Sequence, residues 1–296
     1  MKYSKEQQEA INTIDGQVCI ISVAGSGKTS VIVARANNII KSGVRPYRIL
    51  VLTFSKAAAV QMADRYKMQY GSDGIRFSTI HSLCYSVLAR AYNLKAEDIL
   101  SEAGRLKFFT EFHRQLLYKR VSGVPDDFDE YYRKCNEYIN SMAVGTADNQ
   151  ESKSSSKAYL EITFSQYKEF KKNNKKLDFD DMILYCHKCL SSNKKELEYW
   201  QGIFDYIMVD EFQDTGTLQA EIIYMVADLR KNVCVVGDDD QSIYGFRGAD
   251  SSIFKEFSRK YPGSVQIILG TNYRSCLFYT SPSPRDGATS RMPSSA

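Results

Sequence analysis

The sequence predicts an α/β fold, a parallel sheet covered by helices and interrupted by an inserted all-helical domain. Three observations carry that expectation. Short apolar runs alternate with helix-length segments over residues 1–92, the strand signal disappears from 93 to 197, and it returns between 198 and 275. Strands separated by helices of this length need crossover connections, which give a parallel sheet with both faces covered.

The elements follow in order. Val18-Cys19-Ile20-Ile21 is a short run of buried-strand type, and helical spacing extends from Thr29 to Lys41. Arg48 to Thr53 reads as a second strand, followed by an Ala-rich helix from Lys56 to Tyr70. A third strand spans Ile75 to Thr79, with a helix from His81 to Tyr92. Helical patterns then dominate, as at Ala103 to Lys119 and Ala158 to Lys172. They are broken by the acidic turn Pro125-Asp126-Asp127 and by a polar stretch, Asp148 to Lys157, that reads as a loop. Strand signals return at Tyr206 to Val209, Val233 to Val236 and Val265 to Leu269. The expected division is one α/β domain from 1–92 with 198–275, and a helical insertion over 93–197. No internal repeat is visible.

Composition narrows the class. At 296 residues the chain can bury one large core or two smaller ones. Its 39 Lys and Arg exceed its 35 Asp and Glu by only four, so global charge does not point to a polyanionic partner. Twenty tyrosines suit either an aromatic core or base stacking. The N-terminus turns polar at once, and no apolar run approaches the roughly 18 residues of a membrane span. Seven scattered cysteines fit a reducing cytoplasm. Cys186 and Cys189 have CxxC spacing, but with no second pair near them in sequence they read as two small residues facing a core.

Ser22-Val23-Ala24-Gly25-Ser26-Gly27-Lys28-Thr29 fits G-x-x-x-x-G-K-T except at its first position, and it lies between a strand and a helix. Glycines let successive N–H groups turn toward phosphate oxygens at a helix N-terminus. Lys28 is expected to neutralise the β- and γ-phosphates of a nucleoside triphosphate and the Thr29 hydroxyl to hold Mg²⁺. An apolar run ending in Asp210-Glu211 supplies the complementary carboxylates. Asp210 is suited to the metal, and Glu211 to polarising an attacking water, which points to hydrolysis rather than binding alone.

Longer motifs carry a resemblance. Asp210-Glu211-Phe212-Gln213-Asp214-Thr215, the run from Gly237 to Ala249, and Asn272-Tyr273-Arg274-Ser275 resemble motifs II, III and IV of superfamily 1 helicases of the UvrD/Rep/PcrA type. Gln7-Gln8-Glu9-Ala10 resembles the Q motif, Thr53 to Ala59 motif Ia, and Thr79-Ile80-His81-Ser82-Leu83 the next DNA-contacting motif. Asp178-Phe179-Asp180-Asp181 resembles the acidic patch before motif II.

The resemblance implies a RecA-like ATP-binding domain and ATP-driven 3′→5′ movement on single-stranded DNA, with duplex junctions as substrates and repair or replication proteins as possible partners. It implies that Gln7 reads the adenine, Tyr273 stacks on it, and Ala24 to Ser30 line the nucleotide. Gln241 would sense the γ-phosphate. Arg274 would act as an arginine finger, an effect on the order of 10³–10⁵ in rate. Phe54, His81, Tyr244, Phe246 and Arg247 would line the single-strand track. This chain departs from the pattern with Phe246 where Trp is usual and Ser30 where Arg is common. The basic run Lys171 to Lys176 suits either duplex phosphates or a solvated helix end. An AddA/RecB-type helicase–nuclease subunit and a non-motor, ATP-gated DNA-binding fragment remain alternatives.

The family pattern continues into a second RecA-like domain with motifs V and VI, whereas residues 276–296 resemble translated sequencing-adaptor DNA, with Phe278 in place of an expected Leu. The expectation is a non-native tail at 276–296, and a chain that binds nucleotide weakly and unwinds nothing alone.

Overall fold

The computed structural model describes residues 3–71, 73–144, 155–238 and 252–273. Six strands form one all-parallel sheet: β1 (Gln17–Ser22), β2 (Ile49–Thr53), β3 (Arg76–Thr79), β4 (Tyr206–Val209), β5 (Val233–Gly237) and β6 (Val265–Leu269). Their spatial order is β3-β2-β4-β5-β1-β6. The central strands β2, β4 and β5 are buried at every position, as a sheet covered on both faces requires. At the edge, β6 exposes Val265 and Ile268.

Eleven helices are described: α1 (Lys5–Asn12), α2 (Lys28–Lys41), α3 (Lys56–Tyr70), α4 (Ile80–Tyr92), α5 (Glu102–Tyr118), α6 (Phe128–Val144), α7 (Ser155–Asn173), α8 (Phe179–Ser192), α9 (Lys194–Ile203), α10 (Thr217–Ala227) and α11 (Ser252–Lys260). Successive strand residues face opposite sides. Val18 and Ile20 of β1 accordingly join a core with α1, α2 and α3, while Cys19 joins the core formed with α4, α8, α9, α10 and α11. None of these helices is long and apolar enough to cross a membrane.

The helical stretch between β3 and β4 divides between two cores. Helices α5, α6 and α7 form their own cluster around Phe109, Leu116, Tyr131, Tyr159 and Tyr167. Helices α8 and α9 instead pack on the sheet through Met182, Cys186, Cys189, Leu190 and Trp200. The CxxC thiols thus sit in the sheet's core. The two strands of chain leading to and from the separate cluster run side by side, with Leu100 N–H donating to Leu177 O at 2.8 Å and Leu177 N–H to Asp98 O at 2.9 Å. Of the polar stretch 148–157, residues 148–154 lie outside the described residues and 155–157 begin α7.

Two lysines of the basic run at the end of α7, Lys171 and Lys176, are committed to internal contacts. Lys171 pairs with Asp178 at 2.8 Å and with Asp181 at 2.6 Å, and Lys176 donates to the Glu97 carbonyl. Asp178 also caps α8, accepting from Asp181 N–H at 2.9 Å.

Helix α1 is fastened to α2 by orphan carbonyls of its last turn and by one just beyond it. The fully buried Arg35 donates to Ala10 O at 2.6 Å and to Ile14 O at 3.2 Å, and Asn38 donates to Ile11 O at 3.1 Å. This fixes the position of Gln7 relative to the loop that precedes α2.

Candidate nucleotide site and adjoining groove

The loop between β1 and α2 leaves the sheet at its C-terminal edge, where ligands of open parallel sheets bind. Val23 N–H donates to Leu269 O at 3.2 Å and Ser26 N–H to Val23 O at 3.2 Å, which curls the loop. Gly25 and Gly27 both take left-handed conformations, at φ of 75° and 85°, where a side chain would be strained. A Cβ on Gly27 would also lie 3.0 Å from Gln7 Nε2. Helix α2 begins at Lys28 with no side-chain cap. The N–H groups of its first turn therefore lack a capping side chain and lie where a phosphate would be held.

Ser22, the departure at the first motif position, donates to Gly237 O at 3.0 Å and ties β1 to β5. The Ser26 hydroxyl is buried without a partner. Gln7 braces the loop through Nε2, which donates to Ser26 O at 2.8 Å, while its Oε1 accepts Ser4 N–H at 3.0 Å in a capping box. Both amide atoms of Gln7 are thereby engaged. Tyr273 N–H donates to Gly25 O at 2.9 Å, so the chain after β6 returns to the loop with the Tyr273 side chain 55% exposed. Ala24 is exposed, and Thr29 and Ser30 are half-buried in the first turn of α2.

The acidic side of the site stands at the end of β4. Asp210 N–H donates to Leu52 O at 2.8 Å, and its carboxylate is buried with Oδ1 unpartnered. Burial, and then the charge of neighbouring Glu211, push the Asp210 carboxyl up to about 7. A buried carboxylate this poorly compensated suits a cation that completes it. Glu211 adopts a left-handed conformation at φ 51°, uncommon for a non-glycine residue. Its Oε2 pairs with Lys28 Nζ at 2.9 Å across 183 residues of sequence. The same oxygen accepts from Gln213 Nε2 at 2.8 Å, and Gln213 Oε1 accepts Asp238 N–H at 3.0 Å. The residues present therefore fit a triphosphate and its divalent cation: a left-handed glycine cradle, a lysine, a hydroxyl in the first helical turn and an uncompensated aspartate.

The high Asp210 carboxyl has a consequence for stability. Between the unfolded carboxyl value of 3.8 and about 7, the folded chain binds more protons than the unfolded one. Stability contributed at this site is thus greatest at low pH and falls as pH rises through that window. Asp210→Asn is expected to stabilise the nucleotide-free chain at neutral pH by on the order of 2 kcal/mol and to flatten this pH dependence. Urea unfolding between pH 5 and 8 measures it.

A groove of about 1740 Å³ begins at the acidic end and runs between the sheet and the separate helical cluster. Asp210 and Glu211 line it at one end, Phe54 and His81 along the sheet side, and Arg105, Tyr132 and Arg133 on the helical side. Phe54 is 42% exposed in the loop after β2. His81 packs edge-to-face on Phe179, with ring centroids 5.3 Å apart.

Of the site residues expected from sequence, the structure brings together Gln7, Gly25, Ser26, Gly27, Lys28 and Glu211, with Tyr273 reaching the loop by its backbone. Phe54 and His81 lie along the groove. Gln241, Tyr244, Phe246, Arg247 and Arg274 lie outside the described residues, as does 276–296. Sequence reasoning gave no role to Arg35 or Gln213. An amide two residues after a catalytic-type carboxylate is a faint signal for the second; a lone arginine in an apolar helix is the signal for the first.

Residues 3–262 match the family described as UvrD/REP helicase N-terminal domain. The chain is 32% identical over 280 residues to the putative ATP-dependent DNA helicase YjcD of Bacillus subtilis, covering 91% of this chain and 36% of that protein. It is 34% identical over 285 residues to the ATP-dependent DNA helicase PcrA of Staphylococcus aureus, covering 91% and 38%. Against PcrA of Bacillus subtilis it is 35% identical over 280 residues, covering 91% and 37%. The chain thus spans well under half the length of these relatives.

Proposed function

The chain belongs to the UvrD/REP helicase family, and from that premise we propose that it carries the ATP-binding and hydrolysing site of a helicase that moves 3′→5′ on single-stranded DNA. The observation that carries the reading is the meeting of Lys28 and Glu211 at 2.9 Å, at an edge that opens into a groove lined by Phe54 and His81. The two carboxylates assigned to nucleotide chemistry, Asp210 and Glu211, thus line the same groove as Phe54 and His81.

In this reading Lys28 and the loop N–H groups of Gly25 to Thr29 hold the phosphates, and Thr29 and Asp210 hold magnesium. Bound magnesium supplies charge neutralisation on the phosphate oxygens. Glu211 takes the proton of the attacking water. Lys28 must leave Glu211 to reach a phosphate, so binding frees the carboxylate for that task. Gln7 braces the loop; a contact to adenine requires its Nε2 to give up Ser26. Tyr273 stacks on the base, Gln241 senses the γ-phosphate and Arg274 adds charge stabilisation. Tyr244, Phe246 and Arg247 extend the track begun by Phe54 and His81. The proposal includes an α/β domain of 1–92 with 198–275 and a helical insertion within 93–197, whose separate core of α5, α6 and α7 supports the division. Duplex junctions as substrates, repair or replication proteins as partners and a cytoplasmic setting belong to the same reading.

Replacing Phe54 or His81 with Ala tests the track. Base–aromatic stacking of roughly 1–3 kcal/mol corresponds to a loss of about five-fold or more in affinity for single-stranded DNA. Fluorescence anisotropy with a labelled oligonucleotide measures it, and unchanged affinity in both variants contradicts the assignment.

A further inference from the structure

Gln213 lies in the single 3₁₀ turn Phe212–Asp214 that follows Glu211, and it is buried. Both ends of its amide are used, and their partners fix its orientation: a carboxylate oxygen accepts from Nε2, and a backbone N–H donates to Oε1. The second partner, Asp238, stands just past β5, on the approach to Gln241 in sequence. Gly237, the last residue of β5, makes room for the amide, since a Cβ there would lie 2.2 Å from Gln213 Oε1. Lys28 and Gln213 share one oxygen of Glu211. Phosphate binding draws Lys28 away, and Gln213 is then left to hold that oxygen.

We propose that Gln213 is a positioning residue: a two-ended strut that holds the Glu211 carboxylate in place when Lys28 turns to the nucleotide, and that ties this carboxylate to the backbone leaving β5. The proposal deepens the hydrolytic reading of Glu211 and rests on it. It goes further by making the aim of Glu211 depend on the chain at Asp238, so that a shift there moves the carboxylate. The left-handed backbone of Glu211 aims the side chain, and Gln213 fixes its end.

Gln213→Glu tests the strut in the full chain. It keeps the acceptor for Asp238 N–H and nearly the same volume, but it replaces the donor on Glu211 with a repelling carboxylate. Steady-state ATP hydrolysis should show kcat lowered at least tenfold with KM for ATP within twofold. A purely structural role would leave kcat within twofold, and that result overturns the proposal. A second arm does not need turnover. In crystal structures of Gln213→Glu and Gln213→Met bound to a non-hydrolysable ATP analogue, which draws Lys28 away, the Glu211 carboxylate should leave the position it keeps in the parent complex, and a carboxylate unmoved in both overturns the strut. A parent chain without ATP turnover counts against the hydrolytic reading alone, and the crystal structures still decide the strut.

Discussion

Glu211→Gln is expected to lower ATP hydrolysis by about 10²–10⁴-fold, the range for loss of a positioned general base, while nucleotide binds at least as tightly as in the parent chain. The amide matches the carboxylate in shape and can keep a hydrogen-bond acceptor near Gln213, but it cannot take a proton from water. The effect on binding follows from the ion pair. Lys28 Nζ lies 2.9 Å from Glu211 Oε2, so a phosphate must compete with a carboxylate for the lysine. Neutralising Glu211 removes that competitor and also relieves the like charge beside Asp210. Phosphate release at saturating ATP and Mg²⁺ reports the first effect, and titration with a fluorescent ATP analogue reports the second. Weakened binding with unchanged hydrolysis would reverse the roles assigned here.

Lys28→Ala acts in the opposite sense and is the second large effect. A charge-assisted hydrogen bond to phosphate is worth about 1.5–3 kcal/mol, so nucleotide affinity should fall by roughly ten- to a hundredfold or more. The variant also leaves Asp210 and Glu211 together without the lysine that offsets them, and burial already holds the Asp210 carboxyl high. Without Mg²⁺, any residual binding should therefore strengthen as pH falls, because protonating Asp210 reduces its repulsion of the phosphates. The same titration, repeated between pH 6 and 8, measures both consequences.

Much of this architecture could be read from residue order alone. Strand-length apolar runs at Val18, Leu50 and Ile207, separated by helix-length segments, led to the parallel sheet that the structure contains. The glycine spacing at Gly25 and Gly27 marked the only kind of loop that could turn tightly between β1 and α2. What could not be read was the pairing of distant groups. The lateral order of the strands, with β4 and β5 inserted between β2 and β1, depends on which apolar faces pack together rather than on any local pattern. Helices α8 and α9 look like the helices before them, yet their apolar faces, from Met182 to Trp200, lie on the sheet. The lysines after Phe170 read as a solvated helix end or a duplex contact, and nothing in sequence shows that Lys171 folds back onto Asp178 and Asp181. Nor does any local pattern show that the Gln7 amide spans Ser4 and the Ser26 carbonyl. Gln213 gave little signal, since its significance depends on Asp238, 25 residues later in the chain.

The central claim is that Gly25 to Thr29 and Asp210-Glu211 form one ATP–magnesium site. Titrating the chain with a fluorescent ATP analogue, with and without Mg²⁺ and against Lys28→Ala, tests it most directly. Saturable binding that unlabelled ATP competes away, that strengthens with Mg²⁺, and that falls at least tenfold in Lys28→Ala is the predicted result. Binding equal in the parent and Lys28→Ala chains, or none in either, would contradict it.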